Sequence, residues 1–394
     1  MDTKKIVFFH EEFPFGGAER ITMDIANYIS SHNYKTYIIA LKINRDKLIP
    51  ELSTSLTFIE LPDKSSYDSR KNTNFIIEQI NSLHIDIFVL PVRTFQYFDL
   101  IKNSVNCKFI FANHGSPFWE KENKLIMARK RRDKSFLQKL EWYFISYPKY
   151  IWFNAHEKKI KTLYKTIYDK VSFYTVLCDE YKEEIVKKLN LDPTDNKIRV
   201  IPNSEHAVSS VNYNKKKQII YVGRMSYEDK RVDRLLYIWN MIYEKVPDWE
   251  LILIGDGKEK ENLQELAKKL KLPRIIFVGH QNNVQKYYHD ASVVCLTSTY
   301  EGWGLCLTEA QTNGVIPFAF NCSAGVAKII EPSGTNGFLI PPFDLEIYAK
   351  NLLVLLKDPD LIKKMQKNVV VKSKEYSIEV VGKKWLALFN QLSA

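Results

Sequence analysis

KIVFFHEEFPFGGAERITMDIANYIS, residues 5–30, begins with the apolar run Lys5–His10, turns at Pro14-Phe15-Gly16-Gly17 and continues with helical spacing. Ile21, Ile25, Tyr28 and Ile29 recur on one stripe, which predicts a helix over Ala18–Ser31 that buries one face. A short β-rich run, a glycine turn and an amphipathic helix form the repeating unit of a parallel sheet covered by helices. The same unit restarts at QIIYVGRMSYEDKRVDRLLYIWNMIYE, residues 218–244, with a strand at Gln218–Val222 and a helix at Val232–Glu244.

Around the first unit, further strands are expected at Tyr34–Leu41, Leu56–Glu60, Ile85–Pro91, Lys108–Ala112 and Lys197–Ile201, with a helix at Thr73–Leu83. Around the second, strands are expected at Trp249–Gly255, Ile275–Gly279, Val293–Thr297 and Val315–Phe320. Helices are expected at Glu259–Leu270, Leu307–Asn313, Leu345–Lys357 and Leu361–Ser373. The polar run Ser209–Lys217 after Pro202-Asn203-Ser204 reads as the hinge between the halves. The last helix, Ile378–Leu392, carries the stripe Val381, Trp385, Leu388 and Leu392, which needs a partner. A length of 394 residues suits two domains, and an apolar fraction of 45% with 13% aromatics builds a core for each. Two such halves place ligands at the carboxyl ends of their strands.

The five cysteines (Cys107, Cys178, Cys295, Cys306, Cys322) lie far apart with no CxxC pair. They argue against a disulfide framework or a zinc site and fit a reducing cytoplasm. MDTKKIVFFHEE is too short in apolar residues for a signal peptide, and no window reaches the length of a membrane span. The net charge of +11 is unevenly placed: residues 120–170 hold fourteen Lys/Arg against six Asp/Glu, including Arg129-Lys130-Arg131-Arg132. Aromatic-rich LEWYFISYPKYIWF (Leu140–Phe153) follows. One reading is a solvated helix face with a half-buried strand. Another is a surface that rests on an anionic membrane at the inner face of the cell membrane. Nucleic acid is not an expected partner, because no motif for it is present.

Three places offer chemistry. Gly16-Gly17 exposes backbone amides ahead of a helix N-terminus, where phosphate can approach, although tight turns of this kind are often only structural. Arg224 at the end of a strand and Lys230 in the following loop suit a diphosphate, and both are expected on exposed loops. Glu228 and Asp229 could instead simply balance them. In EGWGLCLTE (Glu301–Glu309) a glycine turn meets a helix start between two carboxylates that could hold sugar hydroxyls. Glu309 could equally be a residue favoured by the helix dipole. Asp358-Pro-Asp360 has the letters of a metal motif but sits between late helices, so no metal or cofactor is expected.

The spacing Glu301…Glu309 around EGWGL resembles the E-x7-E motif of the family 4 retaining nucleotide-sugar glycosyltransferases, also called group 1. PFGGAER (14–20), YVGRMSYEDKRVD (221–233), LILIGDGKE (251–259), FVGHQNNVQKYYHDASVVCLTSTYEGWGLCLTEAQTNGVIP (277–317) and NGFLIPP (336–342) resemble further family segments in the family's order. The resemblance is dense over Gln218–Leu356 and patchy before it. It implies the GT-B fold, α/β with two Rossmann-like domains facing each other across a donor/acceptor cleft. These would span 1–205 and 206–375, with 376–394 packing back onto the first. It implies a nucleoside diphosphate sugar as donor and a glycan or lipid-linked glycan as acceptor. Arg224 and Lys230 would bind the diphosphate, Glu309 the ribose and Glu301 the transferred sugar. Backbone amides of Trp303, Gly304 and Leu305 would face sugar or phosphates, and Gly16 and Gly17 would approach the distal phosphate. His114 in FANHGSPF would lie near the sugar. Asn203 keeps its place in IPNSEH, where Ser204 and His206 depart from the family's I-P-N-G-V-D. A sugar-nucleotide epimerase or hydrolase on the same fold, or a basic protein without catalysis, are the alternatives.

Overall fold

The computed structural model describes residues 3–13, 16–45, 56–90, 95–132, 135–152 and 155–393. Pro14, Phe15, Pro91, Phe153 and the side chains of residues 129–132 lie outside the described residues. The chain divides into two compact units. The first comprises Met1–His114, Lys161–Ser204 and Tyr376–Ala394; the second comprises Gly115–Ile160 and Glu205–Glu375.

The first unit holds a seven-stranded parallel sheet: β1 (Lys4–Phe13), β2 (Tyr34–Ile43), β3 (Leu56–Glu60), β4 (Ile87–Leu90), β5 (Lys108–Ala112), β6 (Phe173–Val176) and β7 (Ile198–Val200). Their order is β3-β2-β1-β4-β5-β6-β7, so the order reverses between β1 and β4. Ile6–Phe9 and the whole of β4 are buried, as strands covered on both faces require. Helices α1 (Gly17–Ser30), α2 (Arg70–Leu83) and α3 (Phe98–Ser104) connect the early strands. Ser69 caps α2 through its side chain, which accepts from Asn72 N at 3.3 Å. Strand β6 was not among those expected, because a four-residue run beside Ser172 carries too short an apolar signal.

The last helix is a layer of this unit. Its Gly382 lies against Tyr28 of α1, and Tyr34 OH donates to Asn390 Oδ1 at 2.6 Å. Val381, Trp385 and Leu388 of the expected stripe are buried there, joined by Phe389.

The second unit holds a six-stranded parallel sheet: β8 (Gln218–Val222), β9 (Glu250–Ile254), β10 (Ile275–Gly279), β11 (Val293–Leu296), β12 (Ile316–Phe320) and β13 (Phe338–Ile340). The order β10-β9-β8-β11-β12-β13 reverses between β8 and β11. Trp239 on the helix Val232–Ile242 and Tyr348 on the helix Leu345–Leu356 are central to its core. Asp358 caps the helix Pro359–Ser373 by accepting from Leu361 N at 2.9 Å, which accounts for the acidic pair at 358–360 structurally.

Over its described residues, 140–152, the aromatic-rich stretch does not form the expected half-buried strand. Phe136–Glu141 is α-helical, and Trp142–Ser146 and Pro148–Trp152 are π-helical turns. The stretch is rich in β-favouring aromatics but lacks the period-two alternation that would bury one face. Among the described residues no helix is long and apolar enough to cross a membrane, and no group of three or more His, Cys, Asp or Glu could hold a metal ion. All five cysteines are free thiols.

Candidate functional site

In an open parallel sheet, ligands bind beyond the carboxyl ends of the strands where the order reverses. In the second unit that place is the end of β8 and β11, where Arg224, Lys230 and Glu301 lie. Beyond β8 the chain passes through Gly223 to Arg224, whose carbonyl accepts from Tyr221 OH at 2.8 Å. The adjoining turn after β9 comes so close that a Cβ on Gly255 would lie 1.9 Å from Gly223 O. Only glycine fits there.

Loop 226–231 is sewn to the end of β11. Thr299 N donates to Asp229 O at 2.6 Å, and Thr297 Oγ1 donates to Arg231 O at 3.0 Å. Asp229 also receives the Ser226 hydroxyl and Arg224 Nη2, the latter at 3.0 Å. Burial works to raise the Asp229 carboxyl, but Ser226, Lys230 and Arg224 hold it below its ordinary value. It is therefore ionised and fixes the loop.

The two basic residues differ, and here the first expectation needs correction. The Arg224 side chain is 67% exposed, as anticipated, whereas that of Lys230 is only 20% exposed. Lys230 Nζ donates to Glu301 Oε1, which also accepts from Ser298 Oγ at 2.7 Å. Burial opposes the ammonium, yet Glu301 keeps its pKa above the ordinary lysine value. Two residues 71 positions apart thus form one buried ion pair at the switch point. Beside it, burial pushes the Cys306 thiol up to about 12, so that cysteine is neutral and no nucleophile.

Gly304, at φ +89°, caps the helix Leu305–Thr312, a left-handed position that suits glycine. Trp303 is buried. Glu309 stands in the second turn of the helix, beyond the first-turn position of a dipole-placed acid. Its Oε2 accepts from the buried Tyr288 OH at 2.6 Å. Burial first, and the Glu309 carboxylate with it, keep the Tyr288 phenol well above its ordinary value and protonated. A cavity of about 280 Å³ opens at the ends of β8 and β9, lined by Arg224, Gly255, His280 and Gln281 among others.

The first unit gathers its own predicted residues beyond β1, β5 and β7. Gly16 is extended and caps α1; its N–H donates to Glu19 Oε2 at 2.8 Å, three residues on. Gly17 opens the helix. The other oxygen of Glu19 lies 3.4 Å from Nδ1 of His10, which is buried within β1. Burial lowers the His10 pKa, with Glu19 opposing. His114 Nδ1 donates to Asn203 Oδ1 at 2.7 Å, because an amide oxygen only accepts. Its Nε2 is then the basic nitrogen. Burial pushes the His114 pKa down to about 4, with Asn203 acting against the shift. His10 and Glu19, like Ser298 and Tyr288, were not singled out by sequence, whereas Asp229 does pair with Arg224 as the alternative reading had it. For Glu19 the capping-box spacing after Gly16 was a usable signal.

Residues 203–370 match the family of glycosyl transferases group 1. The chain is 28% identical to a glycosyltransferase of Haemophilus influenzae over 97% of this chain and 99% of that one. It is 24% identical to the amylovoran biosynthesis glycosyltransferase AmsD of Erwinia amylovora, over 95% and 96%. Anabaena HepE, solved in complex with UDP and glucose, superposes with a TM-score of 0.74 at 14% identity, covering 98% of this chain and all of that one. That likeness shows the fold, and the family match and the two relatives show the class. The chain is a glycosyltransferase of GT-B fold, similar over residues 203–370 to glycosyl transferases group 1.

Proposed function

We propose that the protein transfers a hexose or N-acetylhexosamine from a nucleoside diphosphate sugar, a uridine diphosphate sugar first, to a glycan or lipid-linked glycan. In this reading the anomeric configuration is retained and no metal ion takes part. The observation that carries it is the arrangement at the β8/β11 switch point: exposed Arg224, the Lys230–Glu301 pair and the start of a helix. Two fixed cations and backbone amides can stabilise charge on a departing diphosphate as a divalent cation does elsewhere. Glu309, steadied by Tyr288, has an oxygen suited to ribose hydroxyls, and Glu301 suits hydroxyls of the sugar. Gly16, Gly17 and His114 Nε2 are the first-unit groups assigned to the donor, and Asn203 orients His114.

The step follows a front-side course. The bond from the anomeric carbon to the phosphate oxygen breaks, and the acceptor oxygen bonds the same face. The acceptor proton passes to the departing phosphate oxygen. A sugar polymer as acceptor is supported by the relative named for amylovoran biosynthesis, and a uridine donor by the UDP seen in HepE.

The test is nucleotide release from UDP-glucose, UDP-galactose and UDP-N-acetylglucosamine, with and without acceptor, in EDTA. Release that depends on acceptor and survives EDTA is the expected result. Equal release without acceptor would make the protein a hydrolase, and activity that returns only with Mg²⁺ or Mn²⁺ would overturn the metal-free scheme.

A further inference from the structure

Helix Phe136–Glu141 and the π-helical turns after it are built inside out. Phe136, Leu137 and Phe144 are 75%, 76% and 76% exposed, and Leu140 and Tyr143 are exposed between them. These positions recur at helical spacing and share one face, while Trp142 on the opposite side is buried. Ile145 and, in the next turn, Trp152 are also exposed, the latter by 71%. A water-facing patch of this size marks an interaction surface.

We propose that this face docks on the headgroup region of an anionic lipid leaflet, with Phe136, Leu137 and Phe144 entering the acyl boundary. Charge decides among occupants. The surrounding stretch 120–170 carries eight more Lys/Arg than Asp/Glu, and in sequence three residues separate Arg129–Arg132 from the start of the helix. A second copy would set that surplus against itself, whereas an anionic leaflet attracts it. Basic residues beside exposed Phe, Leu and Trp are the composition of a helix lying in the interface plane. Tyr143 and Trp152 supply rings suited to headgroup depth. The docking does not rest on the transferase reading, since it needs neither donor nor acceptor.

The experiment is co-sedimentation with vesicles of phosphatidylglycerol and phosphatidylcholine, against vesicles of phosphatidylcholine alone. Wild type should partition to the anionic vesicles and keep a fraction bound at high salt, because apolar burial is not screened. The triple variant Phe136→Ser, Leu137→Ser, Phe144→Ser should lose roughly tenfold in partition for each side chain removed. Its thermal midpoint should match wild type, because the three side chains are exposed. Should that variant fail to fold, brominated lipid provides a second measurement. It should quench wild-type fluorescence more than that of Trp152→Phe. Vesicle binding unchanged in the triple variant, binding fully released by salt, or no Trp152 quenching would overturn the proposal. So would a patch that forms dimers and ignores vesicles.

Discussion

Arg224 and Lys230 were paired by sequence as two exposed cations, and the structure separates their expected behaviour. Arg224→Ala should cut turnover about 10²–10³-fold, the scale of losing one preorganised charge-stabilising donor. It should lower the thermal midpoint only slightly, because the exposed Arg224 is one of several groups that hold the buried Asp229 carboxylate, with Ser226 and Lys230 remaining. Lys230→Ala should lose similar activity and also about 1–3 kcal/mol of stability, since it strands the Glu301 carboxylate in a buried place. Steady-state kinetics with urea denaturation checks both. The glutamates divide in the same way. Glu309→Gln should weaken free nucleoside diphosphate, and Glu301→Gln should spare it while depressing transfer. Equal loss of the free diphosphate by calorimetry would refute that division. His114 gives a pH signature. With a folded pKa of about 4 and an unfolded one near 6.5, the folded state favours the neutral ring. Its contribution is therefore complete above pH 6.5 and lost as pH falls towards 4, where the unfolded chain binds more protons. His114→Gln should flatten that part of a stability–pH curve. The positions of these residues were legible because motif spacing is local. Their partners were not, because Lys230–Glu301, Tyr288–Glu309 and His114–Asn203 are made by the fold.

Elements were legible where their pattern was long or strongly apolar. Gln218–Val222, Ile275–Gly279 and Lys108–Ala112 match the structure to the residue, because buried parallel strands are continuous apolar runs bounded by turns. Phe173–Val176 was lost for brevity. Stretch 140–152 departs from the expected strand because aromatic content suggested one while the backbone is helical. Element junctions make a sharper test, since glycine is required there for two different reasons. Gly304→Ala keeps the chain in a left-handed conformation that costs about 1–2 kcal/mol and should lower stability by that amount. Gly255→Ala should be far worse. Its Cβ meets a backbone oxygen at 1.9 Å, so β8 and β9 must part, and with them the Arg224 turn. Urea midpoints should rank wild type above Gly304→Ala and Gly304→Ala above Gly255→Ala. A Gly255→Ala protein as stable as Gly304→Ala would mean that the close approach of the two turns is not obligatory.

At the scale of the molecule, chain order and unit membership part company. The last helix, Ile378–Ser393, follows the second unit in sequence but is built into the first. The expectation that it packs back onto the first domain named the unit; the partner within it, α1, is more than 340 residues away in sequence and no local pattern names it. The join is close. A Cβ on Gly382 would lie 2.3 Å from the Tyr28 ring, Phe389 packs 5.9 Å from the Tyr34 ring, and Arg199 Nη2 donates to Gln391 Oε1 at 3.0 Å. Gly382→Leu therefore cannot be accommodated without lifting the helix off α1 and uncovering Trp385 and Phe389, both fully buried. Overpacking of this kind costs about 1–3 kcal/mol, and loss of the aromatic contacts adds to it. The consequence should be confined to one unit. Amide exchange should accelerate in α1 and β2, which the helix contacts, while β8, β11 and the switch-point loops keep wild-type protection. A thermal-shift response to UDP that resides in the second unit should then survive at temperatures where the first has opened. Uniform acceleration across both sheets would show instead that the two units unfold as one, and that the last helix supports the whole molecule rather than the unit it completes.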